Sequence, residues 1–218
     1  MQNLEFIFPL GGQIYSLTAA RTRFLNGLYN EVAEEVCSEL TSGRILDIGT
    51  GPGYLPIAIA KRVPCLEVVG IDVSSSMLKV ASNNAKRMGL SDRVRFQFGY
   101  AERIPFKDQY FDLVLSTISL HHWLRPTECI EEVHRVLKEN GKALICEIKR
   151  DLDKRANPEL RKRYGWLFTF LFLAIVKADP FVTLEDVGDL VSFSTRHFSR
   201  TELKDDGIIL RLRLSNSK

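Results

Sequence analysis

Net charge is almost absent from this chain of 218 residues, in which 30 lysines and arginines face 27 aspartates and glutamates to leave +3. So slight a balance does not by itself point to a nucleic-acid partner. Cysteine is sparse and scattered. Cys37, Cys65, Cys129 and Cys146 form no Cys-x-x-Cys pair, which argues against a zinc ribbon or redox motif and fits a reducing compartment, with the cytoplasm as the expected location. Long hydrophobic runs are missing too. The most apolar stretch, WLFTFLFLAIV at 166–176, has eleven residues, against the roughly 20 that a membrane-spanning helix needs. The opening MQNLEFIFPLGG has no basic flank and is broken by Pro9, so no signal peptide is expected there. Neither repeats nor low-complexity tracts occur, and no cluster of ligating residues suggests a metal. What is present is 45% hydrophobic. That suffices for a packed core at the size of one ordinary domain and excludes disorder as the main state.

The apolar positions divide the chain by their period. Leu17, Phe24, Leu25, Leu28, Val32, Val36 and Leu40 recur at helical spacing and predict an opening helix from about 16 to 40. Short apolar runs then alternate with helical stretches. RILDIG (44–49), LEVVGIDV (66–73), VRFQFGY (94–100), FDLVLSTIS (111–119) and ALICEI (143–148) read as strands. Residues 54–62, 74–90 and about 127–139 read as helices, the second with a serine N-cap run and Gly89 near its stop, the third ending at Asn140-Gly141. Such alternation implies parallel strands joined by right-handed crossovers, a doubly wound, Rossmann-like α/β sheet. After residue 149 it stops. A basic segment runs to 163, the greasy run follows, and a helix is expected near 183–192. Two strands, about 196–203 and 208–214, then flank a Lys-Asp-Asp-Gly turn short enough for an antiparallel hairpin. The economical organisation is a single domain over 1–218, with an N-terminal helical cap (about 1–40) and a lid-like insertion (about 150–182).

The sharpest motif is LDIGTGPG at 46–53, directly after the first strand, in which Asp47, Gly49, Gly51 and Gly53 give D-x-G-x-G-x-G. In an open α/β sheet the ligand crevice lies beyond the carboxyl ends of the strands, and glycines there let the backbone come close to a ligand. A dinucleotide-binding turn would place glycine at 54, where Tyr54 stands, and no Walker-type Lys-Ser/Thr pair follows. At the end of the second strand Asp72 is placed to accept hydrogen bonds from both hydroxyls of a ribose. GYAERIPF (99–106) offers a loop on which an adenine could lie, and FDLVLS (111–116) brings Ser116 toward the crevice.

With LDIGTGPG, VVGIDVS, GYAERIPF, FDLVLS and LKENGKALI in this order, the chain resembles the class I S-adenosylmethionine-dependent methyltransferases. It is closest in style to the small-molecule branch that includes ubiquinone/menaquinone-biosynthesis-like enzymes. The resemblance covers about residues 40–150 and implies a seven-stranded, mostly parallel sheet in the order 3-2-1-4-5-7-6, antiparallel only at the seventh strand. It implies S-adenosyl-L-methionine as cofactor. Gly49 and Gly51 would face the methionine part, with Asp47 holding the turn and reaching the amino group. Asp72 would bind the ribose, Val73 and Met77 would flank the adenine, Ala101 and Glu102 would lie along its edge, and Ser116 would sit beneath the methionine. The family's usual Gly-Asp-Ala is replaced here by Gly99-Tyr100-Ala101, which removes one acid from adenine recognition. In the closing IILRLRL, Arg211 and Arg213 share one face, so either polar partners cover that face or the sheet is incomplete there.

A sulfonium methyl is already activated, and an enzyme mainly aligns its in-line displacement; a base is needed only where the nucleophile must lose a proton. His121, in SLHHW, is the candidate catalytic base, since histidine titrates near neutrality. The plainer reading of His121 and His122 is structural or pocket-lining, with Trp123 as a pocket wall. His134 and His197 look isolated, and Asp112 looks structural. Residues 149–163 carry seven basic and three acidic side chains. They suggest either a solvated helix ahead of a buried lid or an interfacial lid over 164–176 that touches a membrane or lipid through Trp166, Phe168, Phe170 and Phe172. No nucleic-acid partner is expected, because neither an Asp/Asn-Pro-Pro-Tyr-like motif after the fourth strand nor an aromatic-basic platform occurs. The expected reaction is methyl transfer to an O, N or C atom of a small, apolar acceptor. The rivals are a non-catalytic S-adenosylmethionine-binding regulator, an RNA methyltransferase and a nicotinamide-dependent oxidoreductase. Oligomeric state has no signature in the sequence.

Overall fold

Strand β1 (Gly43–Ile48) is buried from Ile45 to Ile48, as expected of a strand covered on both faces. The computed structural model of the chain describes residues 23–152, 156–178 and 181–216, and the chain divides after Pro105 into two compact units. In the first, α1 (Arg23–Glu39) precedes β1, followed by α2 (Tyr54–Arg62), β2 (Leu66–Asp72), α3 (Ser75–Arg87) and β3 (Val94–Phe98). The strands run β3-β2-β1, all parallel, with Asp47 opposite Gly70 and Asp72 opposite Phe98. Helix α1 buries Phe24, Leu28, Val32 and Val36, a stripe of one residue per turn. The start of the predicted opening helix, with Leu17, lies outside the described residues. Ser74 caps α3 by accepting the Met77 N–H at 3.3 Å, and Gly89 follows its end at φ +66°.

The second unit holds β4 (Phe111–Thr117), a 3₁₀ turn at Leu120–His122, α4 (Pro126–Val136) and β5 (Leu137–Ile148), then α5 (Ala156–Tyr164), α6 (Trp166–Ala178), α7 (Leu184–Ser194), β6 (Arg200–Asp205) and β7 (Ile209–Ser215). Its strands run β4-β5-β7-β6; β4 and β5 are parallel, and β7 is antiparallel to both neighbours. The seven strands thus make the mostly parallel α/β sheet with an antiparallel C-terminal hairpin that the sequence predicts.

Three boundaries differ from expectation. Helix α4 stops at Val136 because Leu137 turns extended and pairs with Phe111. The ladder then skips from Leu137 to Lys142, which takes up Asn140-Gly141 as an irregularity inside a long β5 rather than as a helix stop. Strand β4 ends at Thr117 because Ile118 swings to φ +55°. Strand β6 begins at Arg200 rather than near 196. One of the two arginines of β7 also finds its explanation, whereas Arg211 stands in register with Lys204. The sheet is complete past β7, and Arg213 is exposed, in register with Glu202 of β6, a cross-strand pair of opposite charges. Asp112 is structural, with Lys138 Nζ at 2.8 and 2.9 Å from its two oxygens.

Candidate functional site

After β1 the chain makes three successive left-handed excursions, Gly49 at φ +69°, Gly51 at +51° and Gly53 at +75°, which L-residues with side chains rarely adopt. The loop is pinned from below, since the amides of Gly49 and Thr50 both donate to the Ile71 carbonyl at 2.9 and 3.0 Å. At Gly53 a Cβ would lie 2.5 Å from Phe96 Cζ and 2.9 Å from Ala81 Cβ, so only hydrogen fits. Gly51 is the opposite case. A Cβ there would meet nothing within 4 Å, so the backbone at the crest of the loop offers an open face to a ligand.

Asp72, at the end of β2, ties this loop to the next helix. Its Oδ2 accepts the Gly51 N–H at 2.8 Å and its Oδ1 accepts the Ser74 N–H at 2.8 Å. A carboxylate has about four acceptor positions, so one carboxylate can brace two turns and still receive further donors. Val73 follows and is 51% exposed, while Met77 and Ala101 are buried and Glu102 is half-buried. The Gly99 amide donates to the Asp72 carbonyl at 3.3 Å, which places the end of β3 beside that of β2. Beyond it Tyr100, the residue in place of the family's acid, meets Phe98 edge-on at 5.2 Å, and both rings are about half exposed. The sequence reading noted Tyr100 only as the replacement of an acid and passed over Phe98.

Asp47 is buried at 3% exposure. Burial pushes its carboxyl up to about 7, the neighbouring Thr50 hydroxyl pulls it back, and the Asp72 charge adds to the rise. Its proton is therefore loosely held near neutrality, and a cation brought to it would displace that proton.

Ser116 and His121 belong to the second unit. Ser116 is 1% exposed and its Oγ has no hydrogen-bond partner among the described residues, as is also true of Thr117 Oγ1 and of the indole N–H of buried Trp123. Unpaired polar groups at such depth are uncommon in folded proteins. The His121 ring lies with Nδ1 2.9 Å from Glu147 Oε2, and that oxygen also accepts the His121 backbone N–H at 3.2 Å. Glu147 Oε1 takes the Ile148 N–H at 2.8 Å. Both side chains are sealed, His121 at 3% and Glu147 at 1%, with the Phe181 ring 4.5 Å from the imidazole. His122 is exposed, so the two adjacent histidines are not equivalent. Glu147 escaped the sequence reading, although a carboxylate inside the apolar run ALICEI was a signal of the same kind as Asp47 inside ILDIG. His134 and His197 are not isolated either: their rings lie 5.9 Å apart, and burial followed by the neighbouring His197 lowers the His134 pKa.

A parallel α/β sheet, a glycine loop open at its crest and an acid closing the second strand together define an S-adenosylmethionine-dependent methyltransferase fold. Residues 40–177 match the methyltransferase-domain family model, and the chain belongs to that family. The ubiquinone/menaquinone biosynthesis C-methyltransferase UbiE of Ectopseudomonas mendocina is 34% identical over 152 residues, 69% of this chain and 58% of that protein. The uncharacterized methyltransferase YcgJ of Bacillus subtilis is 38% identical over 104 residues, 48% of this chain and 40% of that one. The chain thus spans less than two thirds of the length of these curated relatives. Among solved structures, a candidate S-adenosyl-L-methionine-dependent methyltransferase from Methanococcus maripaludis superposes with a TM-score of 0.76 at 23% identity, covering 100% of this chain and 97% of that one.

Proposed function

We propose that this chain transfers the methyl group of S-adenosylmethionine to a ring carbon or oxygen of a small, apolar, hydroxyl-bearing acceptor of the quinol type, in the cytoplasm. The observation that carries the donor is Asp72, whose carboxylate joins the open glycine loop at Gly51 to the cap of α3 at Ser74. Asp72 would receive the ribose hydroxyls, Gly49 and Gly51 the methionine chain, and Asp47 the ammonium. Val73, Met77, Ala101 and Glu102 would border the adenine, and Ser116 would lie beneath the methionine. The acceptor class is supported by the activities for which relatives are named, ubiquinone/menaquinone C-methylation and demethylmenaquinone methylation. The test is to supply S-adenosylmethionine and a short-chain reduced demethylmenaquinone, and to follow S-adenosylhomocysteine together with the mass of the quinol. A product heavier by one methylene supports the reading. Tight donor binding with no methylated product from quinols, phenols or amines would favour a non-catalytic binding protein.

An acceptor of that kind resides in membranes, and a lipid contact through 164–176 is the second part of the reading. No helix among the described residues is long and apolar enough to cross a membrane. Yet Trp166 and Phe170, one turn apart on α6, are 73% and 66% exposed, and Arg161, Lys162 and Lys177 are exposed nearby in the chain. Aromatics beside basic residues suit an anionic interface. Two details correct the expectation. Phe172 is buried, and Lys149 is no part of a solvated face, since its Nζ is buried against Asp205 at 2.8 Å. The side chain of Phe168 lies outside the described residues. The protein should sediment with phosphatidylglycerol vesicles and not with phosphatidylcholine, and joint Trp166→Ala and Phe170→Ala substitution should cut the bound fraction about fivefold or more. Equal binding by the double variant would remove this contact.

A further inference from the structure

We infer that the helical layer of the first unit holds a second binding site, for a small phosphorylated aromatic molecule, and that its occupation tightens the hold of the glycine loop on the methyl donor. The inference rests on the donor placement proposed above and makes no use of the acceptor. A cavity of about 350 Å³ is lined by residues of α1, α2 and α3, all within the first unit. That size lies at the lower end of the range for small-molecule sites, roughly 300–1,000 Å³. It suits one compact molecule rather than a peptide.

The lining combines apolar surface with positive charge. Tyr29 and Tyr54 approach to 6.5 Å between ring centroids at 46°, and Ile57 adds a buried aliphatic surface. Half-buried rings set at such an angle meet a flat apolar ligand by edge and by face. Lys61, Arg62 and Arg87 supply the charge, and among the described residues no aspartate or glutamate lines the cavity. Cations without a lining acid call for an anion, and the arginine fork matches the oxygens of a phosphate. Basic residues are also common in the last turn of a helix, where they complement the exposed carbonyls. Arg62 does this: its Nη1 donates to the Ala58 carbonyl and its Nη2 to Asn30 Oδ1, both at 2.9 Å, with Glu34 3.7 Å away. Lys61 and Arg87 do not. Both are exposed, and their side chains make no hydrogen bond or ion pair among the described residues, so their charges are open to a ligand.

The cavity is tied to the donor loop at two points. Asn84, part of the lining, donates from Nδ2 to the Pro52 carbonyl at 3.0 Å, between Gly51 and Gly53. Tyr54, also part of the lining, follows Gly53 directly and begins α2. A ligand that fixes Asn84 and Tyr54 therefore holds the loop from behind, and the donor no longer bears the whole cost of ordering it. Coupling of this kind is reciprocal: each ligand raises the affinity for the other by the same factor.

The test is calorimetry on the full chain with phenyl phosphate as the probe, beside phenol and inorganic phosphate. Phenyl phosphate should bind with a dissociation constant at or below about 1 mM, and phenol and inorganic phosphate each about tenfold or more weakly. The joint Lys61→Gln and Arg87→Gln variant changes only exposed side chains, so its melting temperature should stay within about two degrees of wild type. Its affinity for phenyl phosphate should fall about tenfold or more. Saturating phenyl phosphate should strengthen S-adenosylhomocysteine binding by about three- to tenfold in the wild type, and Asn84→Ala should abolish that gain. Inorganic phosphate bound as tightly as phenyl phosphate would reduce the site to a surface anion contact and overturn the assignment. Undiminished binding by the double variant, or displacement of phenyl phosphate by S-adenosylhomocysteine, would overturn it too. Phenyl phosphate bound with no change in donor affinity, or a gain that survives Asn84→Ala, sinks the coupling and leaves the donor placement intact. No S-adenosylhomocysteine binding, with phenyl phosphate bound as expected, sinks the donor placement and leaves the second site standing.

Discussion

Asp72→Ala is expected to weaken S-adenosylhomocysteine binding, measured by calorimetry, by about 10²–10⁴-fold. Two hydrogen bonds from ribose hydroxyls to a charged acceptor would be lost, each worth roughly 1.5–3 kcal/mol. The substitution also unfastens the loop, because the Gly51 and Ser74 amides both end on this one carboxylate. Gly51, already in a left-handed conformation at φ +51°, would lose the contact that holds it there. Asp72→Asn separates the two effects. It keeps the volume, but whichever way the amide turns, its NH₂ confronts the amide of Gly51 or of Ser74. Binding about tenfold weaker than wild type is therefore expected, between the other two proteins. Wild-type affinity in Asp72→Ala, in a protein shown to be folded by circular dichroism, would remove the sugar from this carboxylate and with it the placement of the donor.

The legible parts of this site are those whose signal is local. Asp47 stands out because it interrupts an apolar strand, and Gly49, Gly51 and Gly53 because three alternating glycines directly after a strand are needed only where the backbone must turn left-handed, as all three do. Asp72 follows from its place at the end of the next strand. Glu147 was not legible in the same way. It sits 26 residues from His121, and what joins them is the β4–β5 register, which sets Thr117 beside Cys146. That register could not be counted from the sequence, because the skip between Leu137 and Lys142 reads locally as a helix running into an Asn-Gly stop. The hairpin shows the same limit. Two arginines on one face of β7 are a puzzle for a buried strand; Glu202 of β6, opposite Arg213, accounts for one of them, and Lys204, opposite Arg211, does not account for the other.

Asp47 should separate stability from binding, with opposite signs. Its carboxyl is raised from 3.8 to about 7, by burial above all. In the ligand-free protein the folded state therefore holds a proton that the unfolded chain releases near pH 4. Stability is lost as pH rises between about 4 and 7 and is constant on either side. The size of the shift sets an upper bound of roughly 4 kcal/mol. Asp47→Asn resembles the protonated acid and carries no such penalty. Its melting temperature should match wild type near pH 4 and exceed it by several degrees at pH 8. Ligand binding should run the other way. The ammonium of the donor needs the ionised carboxylate, so the affinity ratio of wild type to Asp47→Asn should climb about tenfold from pH 6 to pH 8. Any titration of the ligand itself cancels from that ratio. A ratio flat across this range would mean that Asp47 does not meet the ammonium, and a melting curve that falls with pH equally in both proteins would mean that the acid is not the group that titrates.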